Sequence, residues 1–95
     1  MAGYVIAQID VTDGEAFAKY RDLVAPTIAK HGGRYLVRGG ELTSMEETPP
    51  NPRVVIIEFE SVQAAKAWYT SDDYAPLIKL RQSASNGPLS IVEGV

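Results

Sequence analysis

The chain contains no cysteine, which removes disulfide bridges, thiolate nucleophiles and every zinc site built on Cys ligands. It has a single histidine, His31, so no site needing two imidazoles can form within one subunit, and a haem would have to take this residue as its proximal ligand. No apolar run approaches the ~20 residues that cross a bilayer. No basic region, long apolar stretch or cleavage site precedes the alternation that starts at Tyr4, so a cytoplasmic protein without a membrane partner is expected. The basic residues are scattered under a formal net charge of -3 rather than gathered into a stripe, and nucleic acid is not an expected partner. The pairs Gly32-Gly33 and Gly39-Gly40 lack the spacing of phosphate-cradling loops. No serine lies in a G-x-S-x-G elbow, and no dense group of carboxylates or histidines marks a metal site. Neither metal nor cofactor is expected.

What is present is one domain, 1-95, of a size that buries only about 60–65% of its unfolded surface and therefore leans on association. Tyr4 to Asp10 alternate as a strand does. Thr12 and Glu15 have capping-box spacing, and Phe17, Tyr20, Val24 and Ile28 then recur at helical intervals, with Pro26 predicting a bend. Lys30-His31-Gly32-Gly33 closes that helix, and His31 reads as a helix-end residue beside free carbonyls. Arg34 to Arg38 forms a second strand, Gly39 to Pro52 a polar loop, and Arg53 to Phe59 a third strand that is β-branched and apolar on both sides, as a central strand is. Ser61 caps a second helix bearing Val62, Ala65, Trp68 and Tyr69. A break near Thr70 precedes a continuation, capped by Ser71 or Asp72, with Tyr74, Leu77, Ile78 and Arg81. Asn86-Gly87-Pro88 turns into a last strand, Leu89 to Glu93. The order βαββαβ defines an α+β, ferredoxin-like fold, a four-stranded antiparallel sheet with two helices on one face.

Sorting the strands by parity places Val5, Ala7, Ile9, Tyr35, Val37, Val55, Ile57, Phe59, Ser90 and Val92 under the helices. The other face receives Tyr4, Ile6, Gln8, Arg34, Leu36, Arg38, Val54, Ile56, Glu58, Leu89, Ile91 and Glu93. So many aliphatic side chains left open would be a liability in a monomer, and a homodimer through this face is expected.

Few residues suggest chemistry. Glu58, at the end of an apolar strand, could be desolvated into a base, or could simply pair with Arg34 across the sheet, the simpler reading. Trp68, Tyr69 and Tyr74 could line a pocket, although helical spacing makes packing the simpler role for Trp68. Arg81 could grip a carboxylate or favour a helix dipole.

Taken together, Tyr20-Arg21, the run from Lys30 to Gly40, Val55-Ile56-Ile57-Glu58-Phe59, Ala67-Trp68-Tyr69 with Ser71 and Tyr74, Arg81, and Ile91-Val92-Glu93-Gly94 resemble the small bacterial family known as domain of unknown function 1330, in the dimeric α/β-barrel superfamily. The resemblance implies a ferredoxin-like subunit whose sheet packs on that of a second copy. It implies no activity. Other branches of the superfamily are cofactor-independent monooxygenases, lactone isomerases and haem enzymes, and the lone histidine sets this chain apart from the last. Three readings of function follow. The first is a homodimer binding a small, partly apolar organic molecule or acid in a cleft between sheet and helices, with Arg34, Glu58, Trp68, Tyr69, Tyr74 and Arg81 as candidate contacts. The second is a cofactor-independent monooxygenase or isomerase with Glu58 as base. The third is a structural module whose barrel interior is filled.

Overall fold

Val54-Val55-Ile56-Ile57 lies at the centre of the sheet, in a strand with neighbours on both sides. The computed structural model describes residues 1–95. Its elements are β1 (Gly3–Val11), α1 (Gly14–Lys30), β2 (Arg34–Arg38), β3 (Arg53–Phe59), α2 (Val62–Tyr69), α3 (Ala75–Ala84), β4 (Ser85–Asn86) and β5 (Leu89–Glu93). β3 pairs with β2 on one side and β1 on the other, while β4 and β5 share the far edge of β1; every pairing is antiparallel. The expected α+β architecture is present, with three helices because the second helical region is broken, and with five strands rather than the expected four because Ser85–Asn86 pairs with the end of β1 before the chain turns. No helix is long and apolar enough to cross a membrane.

Local chemistry sets the boundaries. The α1 cap is Asp13, whose side chain accepts from Ala16 N at 3.1 Å, one residue later than the Thr12 box predicts. The backbone N–H groups of Thr12 and Asp13 both reach Ala84 O, at 2.8 and 3.1 Å, which ties this turn to the end of α3 and leaves the capping position to Asp13. The helix runs through Pro26. It stops where Gly32, at φ 76°, takes the left-handed conformation open to glycine and returns its N–H to Ala29 O. Nδ1 of His31 lies 3.0 Å from Thr27 O, so His31 is the helix-end residue the sequence predicts. Ser61 caps α2 through Ala64 N. α2 ends at Tyr69, where Ser71 Oγ donates to Trp68 O and accepts from Tyr74 N, so Ser71 organises the break and Tyr74, without a side-chain cap, precedes α3.

Helices and sheet meet in an aromatic core. Trp68 and Tyr74 are wholly buried, with ring centroids 4.1 Å apart, and Phe59 packs on Trp68 at 5.6 Å. The indole N–H, which burial would otherwise leave unsatisfied, donates to Thr27 Oγ1 at 3.0 Å. Trp68 therefore binds α2 to α1.

Two corrections to the parity sorting bear on function. Tyr35 faces Ile57, Leu36 and Val37 together span Ile56, and Arg38 faces Val55. This bulge inserts one residue and turns the rest of β2 over, so Val37 joins the open face and Arg38 the helix side, the reverse of the expectation. In β5, Ile91 pairs with Val5 and Leu89 with Ala7. Its two larger aliphatic side chains thus take the core side, and Ser90 and Val92 the open one; parity within a strand says nothing about which set faces in until its partner is known. The open face remains apolar, with Ile6, Val37, Val54 and Ile56 half-exposed and Leu36 and Val92 each 47% exposed. Leu89→Ala should lower unfolding free energy by about 1–2 kcal/mol, and Ser90→Ala should change it by less than about 0.5 kcal/mol, in urea titrations of the two variants.

Candidate functional site

The overturned end of β2 brings a guanidinium to a cavity of about 40 Å3 between α1 and the helix side of the sheet. Its walls are aliphatic, among them Val5, Ile9, Val24, Val55 and Ile57. Four arginines from four elements also line it: Arg21 of α1, Arg38 at the end of β2, Arg53 at the start of β3 and Arg81 of α3. Tyr20 and Tyr35 add hydroxyls.

Three of the arginines are held by apolar or neutral groups. Arg38 lies over the Tyr35 ring at 4.7 Å and Arg53 over Phe17 at 5.1 Å. Gly39 makes room for Arg53. Its φ is 72°, and a Cβ there would stand 2.5 Å from the guanidinium carbon. Arg81 is buried and donates to the Tyr74 hydroxyl at 3.2 Å. The ion pairs of the chain are Lys30–Asp73 and Arg34–Glu58, so no carboxylate neutralises any of the four. Nε of Arg53 is buried without a hydrogen-bond partner. Burial, and then the charges of Arg21 and Arg38, hold its pKa below the usual arginine value. Arg21 and Arg38 are exposed, whereas Arg53 is partly desolvated and lacks a counter-ion, which costs stability; a bound anion would relieve that cost through charge-assisted, bidentate hydrogen bonds. No group of three or more His, Asp or Glu side chains lies together as a metal-ligand set.

The residues singled out from the sequence are divided by the sheet. Glu58 and Arg34 lie on its open side, where Nε and Nη2 of Arg34 are both 2.7 Å from Oε1 of Glu58 and the Tyr4 hydroxyl donates to Oε2 at 3.2 Å. Arg34 holds the Glu58 carboxyl below its ordinary range, opposed by partial desolvation. A base poised near neutrality would need the opposite shift. Trp68 and Arg81 do line the cavity, and Tyr74 stands behind it as the partner of Arg81. Tyr69 is half-buried against Trp68 at 6.3 Å, outside the cavity lining. Sequence reasoning missed Tyr20, Arg21, Tyr35, Arg38 and Arg53 as a group. Arg53 was findable, since it shares parity with Val55, Ile57 and Phe59 on the covered face.

These features define an α+β protein, three helices on an antiparallel sheet, with an apolar cavity lined in part by arginines. The chain belongs to the family described as domain of unknown function (DUF1330), matched over residues 2–95. No curated protein matches it. Among solved structures it is similar to RPA0582 of Rhodopseudomonas palustris, a protein of unknown function, with 20% identity, a TM-score of 0.80, and coverage of 99% of this chain and 82% of that one. It is similar to SnoaB of Streptomyces nogalater, a cofactor-independent oxygenase, at 12% identity and TM-score 0.68, covering 99% and 93%. Rv0793 of Mycobacterium tuberculosis matches at 18% identity and TM-score 0.56, covering 100% and 94%. At these identities the likeness establishes the fold.

A carboxylate whose folded pKa is lowered stabilises the protein above its ordinary value, 4.5 for Glu58, and loses that contribution as pH falls through the folded value. Thermal melts of Glu58→Gln should accordingly show a shallower decline below pH 4.5 than wild type, with the difference reduced in high salt.

Proposed function

We propose that this protein binds a small organic anion, most simply a carboxylate, in the cavity between α1 and the sheet. The observation that carries the reading is the set of four arginines without a carboxylate partner, one with a buried, unpaired N–H, around aliphatic walls. Aliphatic walls and convergent polar groups are the usual composition of a small-molecule site. The free volume of about 40 Å3 is well below the ~150 Å3 that accommodates benzene. On that scale it takes a carboxylate group at most. The remainder of a larger ligand would lie at the mouth, where the loop 39–52 leaves β2 at Arg38 and returns to β3 at Arg53.

A binding arginine and a structural one respond oppositely to removal. Arg53→Met should raise the melting temperature of the free protein by a few degrees, since an unpaired, partly buried charge is replaced by an apolar chain. It should abolish the further stabilisation that millimolar propionate or valerate gives wild type. Differential scanning fluorimetry with both acids reads both effects. A lower melting temperature with unchanged response to the acids would overturn the proposal.

An enzymatic form of the reading borrows from SnoaB, a cofactor-independent oxygenase. The cavity lining includes no carboxylate or imidazole, so the contribution of the protein would be arginine stabilisation of negative charge developing on the bound molecule.

Homodimerisation belongs to the same proposal. Six aliphatic side chains on the open face, each gaining about 1.5–3 kcal/mol on full burial, support association even after discounting for partial exposure and lost rotational freedom. Ile56, on the central strand, is the position to test. Ile56→Glu should sediment as a monomer at micromolar concentration while wild type sediments as a dimer, with anion binding in the cavity on the other side of the sheet retained.

A further inference from the structure

We infer that Tyr20 is a hydrogen-bond donor to the ligand, polarised from behind by Arg81 through Tyr74, and that the ligand therefore carries an uncharged acceptor oxygen in addition to its anionic group. This rests on the anion-binding reading above and adds a second point of recognition to it.

The argument is a proton count. The hydroxyls of Tyr20 and Tyr74 are 2.9 Å apart, and either could donate to the other. Nη1 of Arg81 lies 3.2 Å from the Tyr74 hydroxyl and, being a guanidinium nitrogen, can only donate to it. Two phenolic protons are thus present, and the bond between the rings uses one. If Tyr20 donated, Tyr74 would accept twice, and its own proton would point into a core where Tyr74 is wholly buried and has no other side-chain partner. An unsatisfied buried donor carries a desolvation penalty. If instead Tyr74 donates, its hydroxyl is satisfied in both roles, and the unused proton belongs to Tyr20. Tyr20 lines the cavity and Tyr74 does not. The lower-energy arrangement runs Arg81 to Tyr74 to Tyr20 to the cavity.

Both phenols keep their protons at physiological pH, because burial raises the pKa of each. The terminal donor is consequently neutral, and because guanidinium groups already serve the anionic end of the ligand, it is left for a second oxygen, a carbonyl or an ether. Each donor in a chain strengthens the next, and here the chain starts at a full positive charge. Tyr20 also packs against Phe17, with centroids 5.6 Å apart, and Phe17 is the ring over which Arg53 lies. The anionic and neutral recognition points are therefore neighbours. The chemical class is a short oxo-carboxylate, or an acid with a comparably placed ring oxygen.

The test compares acids that differ by one oxygen: pyruvate against propionate, and levulinate against valerate, with butanone as an uncharged probe, each by calorimetry on the full chain. At least one oxo acid should bind about three- to tenfold tighter than its oxygen-free partner, the net effect of one hydrogen bond. In Tyr20→Phe that ratio should fall to one, and in Tyr74→Phe, which leaves the Tyr20 hydroxyl but cuts its link to Arg81, it should fall part of the way. A packing role for Tyr20 would not move the ratio. Equal affinities within both pairs in wild type, or a preference that survives Tyr20→Phe, overturns the inference while leaving anion binding intact. Binding of butanone alone, lost in Tyr20→Phe, upholds the donor and overturns anion binding. Failure of every probe overturns both.

Discussion

Because Leu36 and Val37 together span the single residue Ile56, the last residue of β2 crosses from the open side of the sheet to the helix side, and the charge distribution of the molecule follows from that crossing. Without the bulge, Arg38 would stand beside Arg34 on the open face and put another charge on a surface made mostly of aliphatic side chains. With it, Arg38 joins Arg53 and Arg21 along the cavity, which the buried Arg81 also lines, and Val37 takes its place on the open face. One inserted residue therefore makes the open face more apolar and the cavity more positive. Bulges are known for this re-aiming of side chains at sites.

The positive cluster is sustained by the rest of the core rather than by counter-ions. The rings of Tyr35 and Phe17 receive Arg38 and Arg53 on their faces, and Gly39 lets Arg53 lie against the backbone. Trp68, Tyr74 and Phe59 supply the densely buried aromatic mass on the other side. The carboxylates that could have quenched the cluster are elsewhere: Glu58 on the opposite face with Arg34, and Asp73 with Lys30 on the helical surface.

Arg38 and Arg53 show where a sequence can and cannot be read. Arg53 falls on the same parity as Val55, Ile57 and Phe59, so its position under the helices was legible, though its role was not. Arg38 was illegible, because a bulge leaves no trace in the alternation of Arg34 to Arg38 and appears only when the strand is set against β3. Leu89 to Glu93 failed for a related reason. Alternation separates Leu89 and Ile91 from Ser90 and Val92, but pairing with Ala7 and Val5 is what assigns the two sets to their faces. Glu58 was legible as an ion-pair partner, since Arg34 lies opposite it in the expected strand order.

By itself the sequence determined the element order apart from the two-residue β4, the central place of β3, the helix ends at Ser61 and Gly32, the break after Tyr69 and membership of the fold class. These rest on interactions among residues close in the chain and on periodicity, both of which are written locally. The tertiary structure alone decided which arginines converge, that they do so without carboxylates, and that Tyr20, Tyr74 and Arg81 share one hydrogen-bonded line. Those facts depend on register between strands and on the packing of α1 over the sheet, contacts between residues distant in sequence that no local pattern encodes.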